Sequence, residues 1–396
     1  MWGAGTMGTQ IAELMALEGI RVVLRDADAQ APERARATIG AHLGRRVERG
    51  RMDARDAQAR LALVDVDPGE AALAEVDLGI EAVPELIEVK RPVLAAMDRL
   101  LGPGAIVATN TSSLSVGELA AGLVHPERFL GLHFFHPVAA MRLVEVIRHR
   151  GTAPAVMSAA IRLVRDLGKL PIVLQDSPGF IVNRVLMAAM AEVLRYQEET
   201  GIDPSSVDAA LVGGGVVPVG PFALADALGL DVVLHVQERL VAALGSRFAG
   251  GRLAAMVAAG RLGAKRGEGF YRRGEEGKPS TPLAEREAQR VAERFLLAAV
   301  LEAVKLLEEG VASARDVDRA MRAGAGFAQG PLRWADEQGL DRVAQRVEEL
   351  GRQGGGARWQ VPPLLRQLLA EGRLGVRTGQ GFHAHRSAPG TGRAGG

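Results

Sequence analysis

Gly3-Ala4-Gly5-Thr6-Met7-Gly8, followed by Ile11, Leu14, Met15 and Leu17 at helical intervals and then by Ile20-Arg21-Val22-Val23-Leu24-Arg25-Asp26, decides the fold. In a dinucleotide-binding unit the first glycine makes a tight turn, the second lets backbone approach a pyrophosphate, and the third packs helix on strand. The following run is β-branched and ends in a carboxylate about 20 residues on, where a second strand presents an acid to a ribose 2′-hydroxyl. The pattern predicts a Rossmann-type α/β sheet that holds a dinucleotide through Gly3, Gly5, Thr6, Met7 and Gly8. Asp26 favours NAD over NADP because a carboxylate repels a 2′-phosphate, although Arg25 beside it is the kind of group that accepts one. Such a fold needs a strand directly before the loop, and only Met1 and Trp2 precede Gly3. The central first strand is therefore expected to be missing, leaving an apolar trench along its two neighbours.

Three further segments carry chemistry. His133 and Glu145 lie 12 positions apart on two short apolar runs around Pro137. A His that moves a proton needs a carboxylate to fix its tautomer and to stabilise the imidazolium. A His between apolar neighbours also reads as a hydrogen-bonded core residue. Ala105 to Leu114 runs from an apolar strand into Asn110-Thr111-Ser112-Ser113, placing small polar groups at the carboxyl end of a sheet, where open α/β folds bind ligands. The same four residues suit the N-cap of a helix over Leu114 to Leu123. Asp176-Ser177-Pro178-Gly179 ends another strand and opens a long apolar helix near Phe180, with Asn183 in its first turn.

Together these residues resemble the L-3-hydroxyacyl-CoA dehydrogenase family, whose motifs run in order to Gly260-Arg261-Leu262-Gly263, Lys265 and Gly267-Glu268-Gly269-Phe270-Tyr271. The resemblance implies NAD-dependent oxidation of L-3-hydroxyacyl-CoA to 3-ketoacyl-CoA, as in fatty-acid β-oxidation. It makes His133 the general base, Glu145 its orienting carboxylate, Ser112 the partner of the 3-hydroxyl and Asn183 the residue that completes the site. It places Glu85 and Lys90 on the nicotinamide side, with Asn110 also among the cofactor contacts. Where the family has Asn, this chain has His136. The alternative reading is a truncated, cofactor-incompetent remnant that binds acyl-CoA or a partner subunit only.

Arg45, Arg46 and Arg49, interleaved with acids, read as a solvated helix face. The family's helical arm lies near CoA, so they are also candidates for its phosphates. A net charge of +1 gives no argument for nucleic acid or membrane partners. The absence of cysteine excludes thiolate metal sites and Cys nucleophiles, and no metal is expected. No signal peptide or apolar run of about 18 residues is evident, so the expected location is cytoplasmic.

Val207-Asp208, Gly220-Pro221, Asp226 and Gly229-Leu230-Asp231 recur 110 positions later as Val317-Asp318, Gly330-Pro331, Asp336 and Gly339-Leu340-Asp341. The repeat predicts two tandem all-α domains. The expected organisation is 1–176 dinucleotide-binding, 177–273 first helical copy, 274–289 linker, 290–386 second copy and 387–396 disordered tail. Glu293 stands where the first copy has Asn183, so the second copy is expected to be structural. Two-copy chains resemble the dehydrogenase half of multifunctional fatty-acid oxidation subunits. That likeness implies a monomer with an internal pseudo-dimer, with a thiolase or hydratase as partner.

Overall fold

The computed structural model describes residues 1–66, 69–272 and 282–385. The chain falls into two compact units, Met1–Phe180 and Ile181–Gly396. The first runs α1 (Thr6–Leu17), β1 (Val22–Leu24), α2 (Ala31–Glu48), α3 (Ala54–Leu61), β2 (Val64–Val66), β3 (Leu78–Glu81) and α4 (Ile87–Leu100). It continues β4 (Ile106–Thr109), α5 (Val116–Ala120), β5 (Phe129–Phe134), β6 (Leu143–Arg148), α6 (Pro154–Asp166) and β7 (Leu170–Gln175). β1 pairs with β2 in parallel, while β3 to β7 form a second sheet in chain order, antiparallel only between β5 and β6. Every residue of β5, and all but the last of β6, is buried, as expected of strands covered on both faces.

Trp2 joins the two sheets. Its backbone bridges Arg25 on one side and Glu81 on the other, both in parallel. Trp2 N–H donates to Ile80 O at 2.8 Å, Ala82 N–H donates to Trp2 O at 2.7 Å, and Arg25 N–H donates to Met1 O at 2.9 Å. No strand precedes α1, in keeping with the expected missing first strand; Met1 and Trp2 alone hold its place, through isolated bridges, because a ladder needs only backbone groups in register. The expected trench is present alongside them. A cavity of about 480 Å³ lies against Met1 and Trp2, walled by residues of β1 and β3.

The second unit is two copies of a five-helix pattern. The first copy is α7 (Val182–Thr200), α8 (Pro204–Gly213), α9 (Pro221–Leu228), α10 (Leu230–Leu244) and α11 (Leu253–Ala258). The second is α12 (Glu285–Glu308), α13 (Ala314–Gly324), α14 (Pro331–Gln338), α15 (Leu340–Leu350) and α16 (Pro363–Ala370). α7 packs along α12, α8 on α12 and α13 on α7, so each copy contributes to the other's core. The same exchange appears in charge. Fully buried Arg184 binds Glu302 at 2.6 Å, and Arg294 binds Glu192 at 2.5 Å, positions related by the 110-residue repeat. A second arginine joins each pair, Arg247 on Glu302 and Arg358 on Glu192.

One expected boundary moves. α12 begins at Glu285, inside the stretch assigned to the linker, because Glu285 and Glu287 in its first turn favour the positive end of the helix dipole. Residues 274–281 of that linker and the 387–396 tail lie outside the described residues. Among the described residues no helix is long and apolar enough to cross a membrane.

Candidate active site

The glycine loop is built by contact rather than flexibility. Gly3 sits at φ +99°, where a Cβ would lie 2.5 Å from Ala82 O, and a Cβ on Gly8 would lie 1.8 Å from Gly3 O. Around Gly5 there is nothing within 4 Å of a built Cβ, so this stretch of backbone is open to an approaching group. Gly5 caps α1 without a side chain, leaving the first amides, from Thr6 onward, to an external acceptor. Asp26 Oδ2 accepts from Ala4 N–H at 2.7 Å, which ties the end of β1 to the loop. An open cradle of backbone donors with an exposed carboxylate beside it fits a dinucleotide whose pyrophosphate faces the helix and whose ribose faces Asp26.

His133 and Glu145 are register partners on β5 and β6. The imidazole Nδ1 meets Glu145 Oε2 at 2.7 Å, with the carboxylate fully buried and the His nearly so. A carboxylate on Nδ1 fixes the proton there and leaves the Nε2 lone pair as the basic position. The ring is walled by Phe135 at 4.3 Å between centroids and Phe180 at 5.7 Å. Phe180 adopts φ 54°, uncommon for a non-glycine residue, and is held there by full burial. Asn110 Oδ1 accepts from Phe134 N–H at 2.9 Å, so this residue pins the strand next to His133.

Glu85 organises the Ser112 loop. Its Oε1 accepts from Thr111 Oγ1 at 2.6 Å, Ser112 N–H at 2.8 Å and Ser113 N–H at 2.9 Å. Burial alone pushes this carboxyl up, but Lys90 and the converging donors hold it down, at about 2 against an ordinary 4.5. The loop does not cap a helix over Leu114 to Leu123 as expected. α5 is shorter and is capped by Ser115, whose hydroxyl accepts from Glu118 N–H. The loop amides are already taken by Glu85.

Lys90 is 1% exposed, and its ammonium contacts Glu81 at 2.7 Å, Glu85 at 3.2 Å and Val83 O at 3.1 Å. Reading the sequence missed Glu81, a fully buried carboxylate at the end of β3 that also accepts from Thr109 Oγ1 at 2.6 Å. An acid closing an apolar strand was the available signal. Phe180 was missed as well, because nothing in a Gly-Phe pair announces a ring wall.

Asn183 lies in the first turn of α7. Its counterpart Glu293 is paired with Arg346 at 2.6 Å. Arg45 and Arg46 occupy the last turn of α2 with Arg49 at its C-cap, where cations complement the helix dipole. Arg45 and Arg49 are exposed.

Comparison with known proteins gives the same assignment from several directions. The 3-hydroxyacyl-CoA dehydrogenase NAD-binding domain matches residues 1–177, and the family's C-terminal domain matches twice, at 179–273 and 291–385. The fatty acid oxidation complex subunit alpha of Idiomarina loihiensis is 33% identical over 94% of this chain and 54% of its own length, so the chain spans about half of that curated relative. The crystal structure of 3-hydroxybutyryl-CoA dehydrogenase from Escherichia coli K12 superposes with a TM-score of 0.87 at 30% identity, covering 94% of this chain and 98% of that one. (S)-3-Hydroxybutyryl-CoA dehydrogenase from Ralstonia eutropha matches with a TM-score of 0.66 at 37% identity, covering 68% of this chain and 96% of that one. A sheet with the glycine loop, followed by two copies of the helical domain, belongs to the 3-hydroxyacyl-CoA dehydrogenase family.

Proposed function

We propose that the chain oxidises L-3-hydroxyacyl-CoA to 3-ketoacyl-CoA with NAD, as a step of fatty-acid β-oxidation or related acyl-CoA degradation. The observation that carries this reading is the buried His133–Glu145 pair, 2.7 Å apart on adjacent strands. Gly3, Gly5, Thr6, Met7, Gly8 and Asp26 hold the cofactor, which when bound supplies the hydride acceptor for C3. Ser112 donates or accepts at the substrate 3-oxygen, on a loop fixed by Glu85. His133 Nε2 takes the hydroxyl proton as hydride leaves C3. Glu145 keeps the ring aimed and stabilises the imidazolium; a positioned base of this kind is worth roughly 10²–10⁴ in rate. Asn183, carried over from the family resemblance, completes the substrate contacts. Glu85 and Lys90 support the nicotinamide side through the Glu81 cluster, and Asn110 does so through Phe134.

Arg45, Arg46 and Arg49 meet the CoA phosphates in this proposal. The chain is a monomer whose two helical copies pair internally. A hydratase or thiolase partner belongs to the same reading, since a relative is named as a subunit of a fatty acid oxidation complex.

The test is His133→Gln. Turnover of 3-hydroxyacyl-CoA is expected to fall at least ~10²-fold while NAD and acyl-CoA affinities stay within several fold. A variant that keeps more than about a tenth of wild-type turnover refutes the assignment of the base. Wild-type protein that binds acyl-CoA but shows no saturable NAD binding likewise refutes the proposed oxidation.

A further inference from the structure

We propose that the helical unit binds a doubly charged phosphate group in a cleft lined by Arg195 and Arg247 of the first copy and by Lys305 and Arg358 of the second. The cleft has a volume of about 610 Å³ and adjoins a smaller pocket that the same four cations share with Glu192, Glu302 and Trp359. The first argument is charge. Glu302 is met by Arg184, Arg247 and Lys305, and Glu192 by Arg195, Arg294 and Arg358. Two further carboxylates join them, Glu309 on Arg184 and Glu199 on Arg358, so six cations face four anions and two positive charges are in excess. A phosphate monoanion-to-dianion, at about −1.5 to −2 near neutrality, balances that excess. The strain of the surplus is visible in the cations themselves. Burial, with Arg358 adding to it, pulls the Arg195 guanidinium below its ordinary value against the opposing effect of Glu192. Burial and Arg247 do the same to the Lys305 ammonium against Glu302.

The second argument is the supply of unused donors. Lys305 Nζ lies 3.6 Å from Glu302, longer than a hydrogen bond. Trp359 is 4% exposed, yet its indole Nε1 has no hydrogen-bond partner among the described residues, and the buried Nε atoms of Arg195 and Arg358 have none either. Ammonium, guanidinium and indole N–H groups donate and cannot accept, so they cannot satisfy one another. A phosphate brings acceptor oxygens that match guanidinium forks, and it removes the charge excess that a water molecule would leave in place. The third argument is repetition. Arg195 and Lys305 lie 110 positions apart, and Arg247 and Arg358 lie 111 apart, each followed by an aromatic ring, Phe248 and Trp359. Each copy thus supplies one cation from its long helix, α7 or α12, and one from a short turn. The second copy keeps this pair although Glu293 replaces Asn183 in it. A phosphate held by all four ties the two copies together.

The experiment uses the full chain without NAD or acyl-CoA, so its outcome is independent of the proposed oxidation. The probes are inorganic phosphate and ribose 5-phosphate, each against sodium chloride at matched ionic strength. Calorimetric titration of the wild-type chain gives Kd, and thermal unfolding of the helical unit follows the stabilisation. Trp359 fluorescence is read in Trp2→Phe/Trp334→Phe, where it is the sole tryptophan. The expected result is saturable binding at millimolar Kd or tighter, a change in Trp359 fluorescence, and a midpoint raised by roughly 5–10 °C at a hundredfold excess over Kd. Lys305→Gln and, from the other cation pair, Arg358→Gln should each weaken binding by roughly tenfold or more, the worth of one charged hydrogen bond. Tighter binding of ribose 5-phosphate than of phosphate supports a site for phosphate esters, and equal or weaker binding supports a site for free phosphate. The proposal is overturned by the absence of saturable binding at millimolar phosphate, by chloride reproducing the shift in midpoint, or by both variants binding as tightly as wild type.

Discussion

Replacing Glu85 by Gln removes the charge on which the Ser112 loop is strung while keeping the shape of the side chain. The wild-type carboxylate accepts from two loop amides and a threonine hydroxyl and lies 3.2 Å from the buried Lys90 ammonium. With burial pushing it up and these partners pulling harder the other way, it titrates at about 2 instead of 4.5. That difference corresponds to a stabilising contribution on the order of 3 kcal/mol near neutrality. Because the folded-state value is depressed, the contribution is present above 4.5 and fades as pH falls through the folded value near 2. Urea unfolding of the first unit, followed through Trp2, is therefore expected to show Glu85→Gln less stable by about 3 kcal/mol at pH 7. The gap should narrow by roughly 1.4 kcal/mol for each pH unit below 4.5. An unaltered midpoint at pH 7 refutes the reasoning, as does a gap that stays constant between pH 7 and pH 3.5.

Three other outcomes are expected. Asp26→Ala should erode the preference for NAD over NADP by roughly tenfold or more, the worth of one charged hydrogen bond, and an unchanged ratio of kcat/KM values removes Asp26 from the ribose. Arg184→Met should destabilise the helical unit by roughly 1.5–3 kcal/mol, the worth of a charged hydrogen bond, because Glu302 loses its fully buried partner but keeps Arg247 and Lys305, and an unchanged midpoint in urea titrations counts against it. Asp208 carries the opposite sign to Glu85: burial pushes its carboxyl up to about 6 against the ordinary 3.8, so its stabilising contribution is full below 3.8 and is lost as pH rises through 6. In Asp208→Asn this segment of the stability profile of the helical unit should flatten, and a profile unchanged between pH 4 and pH 7 counts against it.

Contacts local in sequence, or set by a short spacing, were legible. The glycine loop, the carboxylate of Asp26 and the His133–Glu145 spacing could be read because each rests on one strand-turn-strand or strand-turn-helix unit. The helical duplication was legible because Asp226 and Asp336 keep equivalent tasks, each accepting from two backbone amides of the closing Gly-Phe turn. The Glu81–Lys90 cluster was not legible as a buried pair, since Lys90 lies in a helix whose inward face is fixed only by packing on the sheet. The Arg184–Glu302 pair spans 118 positions, and no periodicity within either helix points to its partner. The bridging by Trp2 was not legible either: two residues are too few for a strand, yet their backbone groups still pair with both neighbours.

The reciprocal pairing of the helical copies has a consequence for how such a chain can change. In an assembly of identical subunits every substitution at the twofold interface occurs twice, so a change that suits one side must be borne by the other. Here the two sides are encoded separately. Val212, Val219, Leu228 and Val232, the exposed large apolar residues of the first copy, stand opposite Arg322, Gln329, Gln338 and Arg342 at the 110-residue offset. Asn183 likewise stands opposite Glu293, which Arg346 neutralises. The Arg–Glu exchange keeps the halves mated while one surface stays greasy and the other turns hydrophilic, a division of labour that is closed to a symmetric pair.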